Sequence, residues 1–208
     1  MCKRFPWRCE LMEENQKCHV NQLMYTLIER VPNDFKFHGE AATNLFLNDQ
    51  LCLEDGIEIC VNRMDLLTVL SVIPQNYRIK GLDKHGKMLN CEKHRLHQIA
   101  SVEVYENEIL LLNIIVYDVY NEEWMFRLNN NIRIPEKQIY YHSLKWNVDY
   151  IKPEIVLMYL LHEPVNQKQV QYCRLLIDRM SYYQFITLKV AVGEDLLRKV
   201  LTERSTYR

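Results

Sequence analysis

The chain predicts an α+β fold: a mixed β-sheet flanked by helices, with a helical C-terminal part. Three observations carry this. Leu110–Tyr120, LLLNIIVYDVY, is an almost unbroken apolar run, as a central strand buried on both faces must be. Around it, β-branched and aromatic stretches alternate with Gly- and Asn-containing turns. Before Val31 and after Lys152, apolar residues recur instead at three- and four-residue steps, the period of a helix face.

The elements follow in order. Residues 1–9 read as a loosely held end, with Phe5 and Trp7 as anchors onto the body. Met12, Val20, Leu23, Met24, Leu27, Ile28 and Val31 give helical spacing from Glu10 to Arg30, and Pro32-Asn33-Asp34 ends it. Phe35–Phe37 is a short strand leading to Gly39. Ala42, Leu45 and Phe46, with Ala41 alongside, share one face of a short helix that Asn48 and Asp49 break. Gly39 just before it gives the flexibility that lets a backbone approach a phosphate closely. Asp55–Val61 is β-branched, as a buried strand should be. Met64–Ile73 has a helical repeat, stopped by Pro74.

The middle of the chain reads as β. Tyr77–Lys80 and Lys87–Asn90 flank a hairpin turn at residues 81–86. His97–Tyr105 and Ile109–Tyr120 follow, parted by a turn at Glu106–Glu108. Trp124–Leu128 and Ile132–Ile134 are edge strands around the Asn129–Asn131 turn. From Lys152 the pattern is helical. Pro153 suits a first helical turn and Glu154 complements its positive end. Ile155, Met158 and Tyr159 continue one face. Pro164 separates a second helix through Val170, Cys173, Leu176, Ile177 and Met180, and two more segments run near Phe185–Val190 and Glu194–Leu201. Residues 1–150 thus form an α/β core, and residues 151–208 a helical region packed on it.

Composition narrows the class. The 208 residues are 48% hydrophobic, enough for a sizeable core, and 5 glycines with 6 prolines argue against disorder. A net charge of −1 gives no electrostatic reason to expect nucleic acid or an acidic membrane. No apolar run reaches the roughly 20 residues of a membrane helix, and no signal peptide opens the chain. A soluble cytoplasmic protein is the expectation. The 7 cysteines are odd in number and form no CxxC pair, which fits a reducing compartment. Cys91-x-x-His94-x-x-His97 lacks a fourth partner nearby, so ordinary thiols are the simpler reading than a zinc site.

The chemistry centres on Gly39–Ile59, GEAATNLFLNDQLCLEDGIEI. Strand alternation puts Glu54, Gly56 and Glu58 on one face. Carboxylates two residues apart, about 7 Å, suit a Mg²⁺ pair, yet the residue two before Glu58 is Gly56. Glu54 is roughly 13 Å from Glu58 along an extended strand, too far to share one ion. Asn113 is polar within an apolar strand and needs hydrogen-bond partners; a satisfied core asparagine and the relic of a catalytic acid both remain open.

GEAATNLFLN followed by EDGIEI resembles Gly-Gly-Trp-Ala-x-Asp-Leu-Phe-Leu-Gly followed by His-x-Asp-Ile-Glu-Ile. That pattern belongs to small nucleotidyltransferases related to the aminoglycoside and lincosamide adenylyltransferases. Asn121–Pro135, NEEWMFRLNNNIRIP, resembles the family's Trp-x-Phe-Arg-Arg, Arg-Ile and Pro stretch. Tyr150–Leu160, YIKPEIVLMYL, resembles its Tyr-Leu-x-Pro-Glu-Ile-x-Leu-x-Tyr-Lys. The resemblance implies a nucleotidyltransferase-like sheet, with Glu58 as a metal ligand and Asp118 as a second acid or base. It also implies Gly39, Glu54, Glu58 and Asn113 as binding positions, and Mg²⁺ with a nucleoside triphosphate as cofactors if the protein is active.

The departures point the other way. Glu40 replaces the second glycine of the pair and brings a negative charge to the phosphate position. Ala41 replaces the tryptophan, Gly56 the first strand acid, Glu54 the histidine and Leu160 the lysine. Asn113 stands where the third strand begins with an acid, and Pro164–Lys168 replaces Pro-x-x-Lys-Asp. Together they imply a binding or regulatory module that has lost transfer activity, with a small molecule or a protein as partner and no nucleic acid or membrane. An active Mg²⁺-dependent enzyme modifying a hydroxyl of a small molecule such as an antibiotic is the alternative, recruiting Glu54 or Asp55 through a bulge. An unrelated α+β protein-interaction module is a second alternative. No G-x-S-x-G, P-loop, H-E-x-x-H or G-x-G-x-x-G motif occurs. The basic stretch around His85–His97 reads as a solvated hairpin rim. Tyr140-Tyr141 and Tyr182-Tyr183 read as packing residues, with a pocket or interface role as the other option.

Overall fold

Two parallel strand pairs organise the molecule, and everything else is hung from them. The computed structural model describes residues 20–89, 93–162, 164 and 166–202. In chain order the elements are α1 (Val20–Arg30), β1 (Lys36–Phe37), α2 (Gly39–Asn48), β2 (Ile57–Asn62), α3 (Leu66–Ser71), β3 (Arg78–Leu82) and β4 (Met88–Leu89). Then come β5 (Ser101–Glu106), β6 (Ile109–Tyr120), β7 (Glu123–Met125), β8 (Arg133–Pro135), β9 (Tyr140–Ser143) and β10 (Val148–Ile151). Four helices end the described chain: α4 (Pro153–Leu160), α5 (Gln167–Arg179), α6 (Tyr182–Val192) and α7 (Glu194–Thr202).

The sheet runs β4-β3-β5-β6-β2-β1-β10-β9, with β7 on the far end of β6 and β8 on β7. β2 pairs with β6 and β1 with β10 in parallel, and the other pairings are antiparallel. This is the mixed sheet with an inserted meander that the sequence implies. β6 lies between β5 and β2, so its apolar run is central, as expected.

Strand alternation divides the core. Ile57, Ile59 and Val61 of β2, with Leu112, Ile114 and Val116 of β6, pack with Leu23, Met24 and Leu27 of α1 and Leu66 and Val69 of α3. Cys60, Ile115 and Tyr117 point the other way and pack with Ile155 and Met158 of α4, Val170 and Cys173 of α5 and Leu188 of α6. Glu58 and Asn113 belong to this second face.

The caps explain the C-terminal helices. Asn166 and Gln169 form a reciprocal capping box on α5, and Ser181 and Gln184 form another on α6. Gln184 Nε2 also donates to Glu154 Oε2 at 2.7 Å, joining α6 to α4. Burial holds the Glu154 carboxyl above its ordinary value, against the hydrogen bonds that lower it. No described helix is long and apolar enough to cross a membrane.

Several expectations are corrected. The strand expected at Asp55–Val61 begins at Ile57. Residues 54–57 instead form a turn closed by Ile57 N–H to Glu54 O at 3.0 Å, with Gly56 at φ +83°. Glu54 and Gly56 therefore do not share a strand face with Glu58. His97 lies in a 3₁₀ turn at Lys93–Gln98, where KHRLHQ has no β-branched residue to favour a strand. The β9–β10 hairpin was not anticipated. Its turn has no glycine; Asn147 takes the left-handed conformation at φ +53°. Trp146 Nε1 donates to Asp49 O at 2.8 Å and Ser143 Oγ to Asp49 Oδ1 at 3.0 Å, so the hairpin is tied to the end of α2. The expected helix at residues 10–19, the anchors Phe5 and Trp7, and Cys91 lie outside the described residues.

Candidate functional site

The site forms where the second face of β2 and β6 meets the first turn of α2, below α4 and α5. Glu58 and Asn113 are direct neighbours in the parallel β2–β6 register. His38 N–H donates to Glu58 O at 2.9 Å, which carries the pairing of β1 with β2 one residue further. The chain then turns at Gly39, φ +56°, into α2. Its positive φ strains any other residue there, and a Cβ on Gly39 would run into Glu58 Oε2 and displace that carboxylate.

The Glu58 carboxylate is engaged at both oxygens. Oε2 meets His38 Nδ1 at 3.1 Å, and Oε1 accepts Asn113 Nδ2 at 3.4 Å. Partial burial opposes its charge, but the hydrogen bond and charge of His38, with Asn113, outweigh it and hold the carboxyl below its ordinary 4.5. An ionised carboxylate only accepts, so Nδ1 of His38 carries the hydrogen. His38 is 3% exposed, and its Nε2 has no hydrogen-bond partner. Its ring meets Tyr159 edge-on, the centroids 5.5 Å apart.

Two cavities open beside this group, and both are lined by Glu40 and Glu58. The smaller, 220 Å³, also touches Asn44, Glu54, Asp55 and Gly56. The larger, 610 Å³, is lined by His38, Arg127, Val156, Tyr159, Lys168 and Tyr172 among others. Burial pushes the Tyr172 phenol up to about 12, and raises the Tyr159 phenol and the Cys60 thiol, so none of these ionises near neutrality.

The residues expected from sequence are brought together only in part. Gly39, Glu58 and Asn113 converge. Glu54 is exposed on its turn at the rim of the smaller cavity, and Asp55 Oδ1 is held by Val20 N–H at 2.9 Å. Asp118 is not brought to Glu58. It lies five residues after Asn113 on β6, an odd step that turns its side chain to the other face. There Arg63 grips both its oxygens, at 2.5 and 2.9 Å, while Arg63 Nη1 donates to Leu96 O and Ile99 O. It is a structural partner of Arg63. His38 was missed, because one histidine before a glycine has no distinctive spacing. Arg127 and Tyr159 were read only as parts of longer patterns.

Mg²⁺ takes octahedral oxygen ligands, with one or two carboxylates. Here Glu58 is hydrogen-bonded through both oxygens, Gly56 offers no side chain, and Asn113 donates its Nδ2 to Glu58. Among the described residues no three His, Cys, Asp or Glu side chains gather as a metal site. Glu58 is the one carboxylate on the strand itself, and Glu40, Glu54 and Asp55 line the smaller cavity beside it.

No family model and no curated protein matches the sequence. Among solved structures the chain is similar to ANT(2″)-Ia, an aminoglycoside adenylyltransferase solved in complex with adenylyl-2″-tobramycin. The TM-score is 0.57 at 11% identity, over 83% of this chain and 94% of that one. It also overlaps the Megavirus polyadenylate synthase, with a TM-score of 0.41 at 10% identity, over all of this chain and 38% of that one. The fold is that of the nucleotidyltransferases.

Two predictions follow from the geometry. Gly39→Ala loses about 1–3 kcal/mol in urea unfolding, more than Gly86→Ala. Gly86 shares a positive φ, +76°, but faces open space, so the difference reads the contact with Glu58. Equal losses would remove that contact from the account. Glu58 also titrates below 4.5 by carboxyl NMR, and in His38→Ala its pKa rises because burial then prevails. Its contribution to stability is complete above 4.5 and is lost as pH falls through the lowered folded value.

Proposed function

We propose that this nucleotidyltransferase-fold protein has lost metal-dependent nucleotidyl transfer and acts as a binding or regulatory module for a small molecule. The observation that carries this is the state of Glu58. The one carboxylate kept on the strand is turned onto His38 and Asn113, and its former partner position is a glycine at φ +83°. A phosphate chain with its metal would meet the Glu40 carboxylate on the first turn of α2. That replaces the backbone-only surface that suits phosphate at a helix N-terminus.

A small-molecule occupant suits the 610 Å³ cavity, which falls in the range of drug-sized ligand sites. The complex of ANT(2″)-Ia with adenylyl-2″-tobramycin supports the same choice, since that fold there holds a small-molecule product. Cytoplasmic location and the absence of a nucleic-acid partner belong to this reading, consistent with the net charge of −1.

Calorimetric titration with each nucleoside triphosphate, with and without Mg²⁺, tests the proposal. No Mg²⁺-dependent binding is expected, and Glu58→Ala leaves the titrations unchanged. Tight binding that requires Mg²⁺ and is lost in Glu58→Ala would return the chain to the active transferases.

A further inference from the structure

We infer that the groove between β8 and α6 takes up an extended peptide as an added strand, and that this peptide carries an acid between two apolar residues. The groove shares no lining residue with either cavity beside Glu58, so this is a second binding surface and goes beyond the small-molecule reading above.

Among the described residues β8 pairs with β7 and no other strand, so one of its edges is free. Phe126 N–H donates to Ile132 O at 3.0 Å and Glu136 N–H to Glu122 O at 2.8 Å. Antiparallel bonds alternate along a strand. The N–H and C=O of Ile134 therefore point to β7, and those of Arg133, with the C=O of Pro135, point to the free side. A 660 Å³ groove runs along this edge: Ile132 and Ile134, which pack on the core, and the exposed Arg133 and Pro135 all line it. Its other wall is α6, where Tyr183, Ile186 and Val190 share one helix face at steps of three and four. Tyr183 is 82% and Val190 77% exposed, so the stripe is uncovered among the described residues. A free strand edge across from an apolar helix face is the setting in which a peptide adds to a sheet.

Antiparallel addition, the more stable pairing per residue, sets the register. The central peptide residue lies opposite Arg133, donating its N–H to Arg133 O and accepting from Arg133 N–H. The N–H two residues earlier donates to Pro135 O. Opposed residues share a face of the sheet. The two flanking residues, opposite Ile134 and Ile132, thus turn toward the α6 stripe and are apolar. The central side chain turns outward with Arg133, whose exposed guanidinium has no partner among the described residues; Glu123, opposite Pro135, makes no ion pair with it. An aspartate or glutamate complements it there. The one acid among the described residues lining the groove is Glu154, which is 5% exposed and hydrogen-bonded to Gln184, and Lys152 adds a second cation to the lining.

Fluorescence anisotropy of the full chain with a labelled, end-capped peptide, Ser-Thr-Ile-Glu-Val-Thr-Ser, tests this. Saturable binding is expected. The same peptide N-methylated at its glutamate lacks the N–H that meets Arg133 O, and binds about tenfold more weakly. Exchange of the glutamate for lysine weakens binding about fivefold, and in Arg133→Glu, a change of an exposed side chain, the lysine peptide becomes the tighter of the two. No saturable binding, as an edge already covered by a second copy or by another segment of this chain would give, overturns the inference. So does equal binding of the N-methylated peptide, or equal binding of the lysine peptide to the wild-type chain; these arms need no variant to fold. A glutamate preference that survives in Arg133→Glu overturns it as well. Each of these results leaves the proposed loss of transfer standing, because that proposal fails only on Mg²⁺-dependent nucleotide binding.

Discussion

The contact of the Glu58 carboxylate with His38 and Asn113, pressed against the Gly39 turn, is the constraint on which the site depends. It links three parts of the chain that are far apart in sequence: the residue after β1, the start of β2 and the middle of β6. The parallel register sets Glu58 beside Asn113, and the backbone bond from His38 to Glu58 sets the imidazole beside the carboxylate. With glycine at position 39, α2 starts against that carboxylate without displacing it. Partial burial would push such a group toward its neutral form; the histidine and asparagine keep it charged. A carboxylate satisfied in this way positions an imidazole more readily than it captures a cation.

The helices of the second face complete the arrangement. α4 brings Tyr159 against the His38 ring, and α5 brings Lys168 and Tyr172 to the lining of the cavity. The capping boxes at Asn166 and Ser181 fix where α5 and α6 start, and Gln184 then ties α6 back to Glu154. Glu154 and Glu58 show opposite outcomes of one contest. Burial dominates for Glu154, whereas His38 and Asn113 prevail for Glu58.

Much of the fold was legible because the relevant signals are local. The apolar run of β6, the Asn129–Asn131 turn and Pro153 at the start of α4 act within a few residues of themselves. The β9–β10 hairpin was not, because Asn147 does the work usually signalled by glycine and the hairpin is held by a distant partner, Asp49. Gly39, Glu58 and Asn113, the positions the resemblance singled out, lie together in the structure. Asp118 lies on the other face of β6 with Arg63, because a resemblance in spacing does not report the parity of a strand position. Glu54 sits on the turn at Gly56 rather than on the strand, at the rim of the cavity that Glu58 also lines. His38 was invisible because its importance lies in a pairing 20 residues away.

The most direct measurement is the side-chain ¹⁵N–¹H NMR spectrum of histidine-labelled protein near neutral pH, before and after addition of Mg²⁺ with ATP. If Glu58 stays turned onto His38, as the account has it, the His38 Nδ1–H signal is present and keeps its position when Mg²⁺ and ATP are added. A hydrogen on Nε2 in place of Nδ1, or a His38 signal displaced by Mg²⁺ as Glu58 turns to the metal, would contradict it.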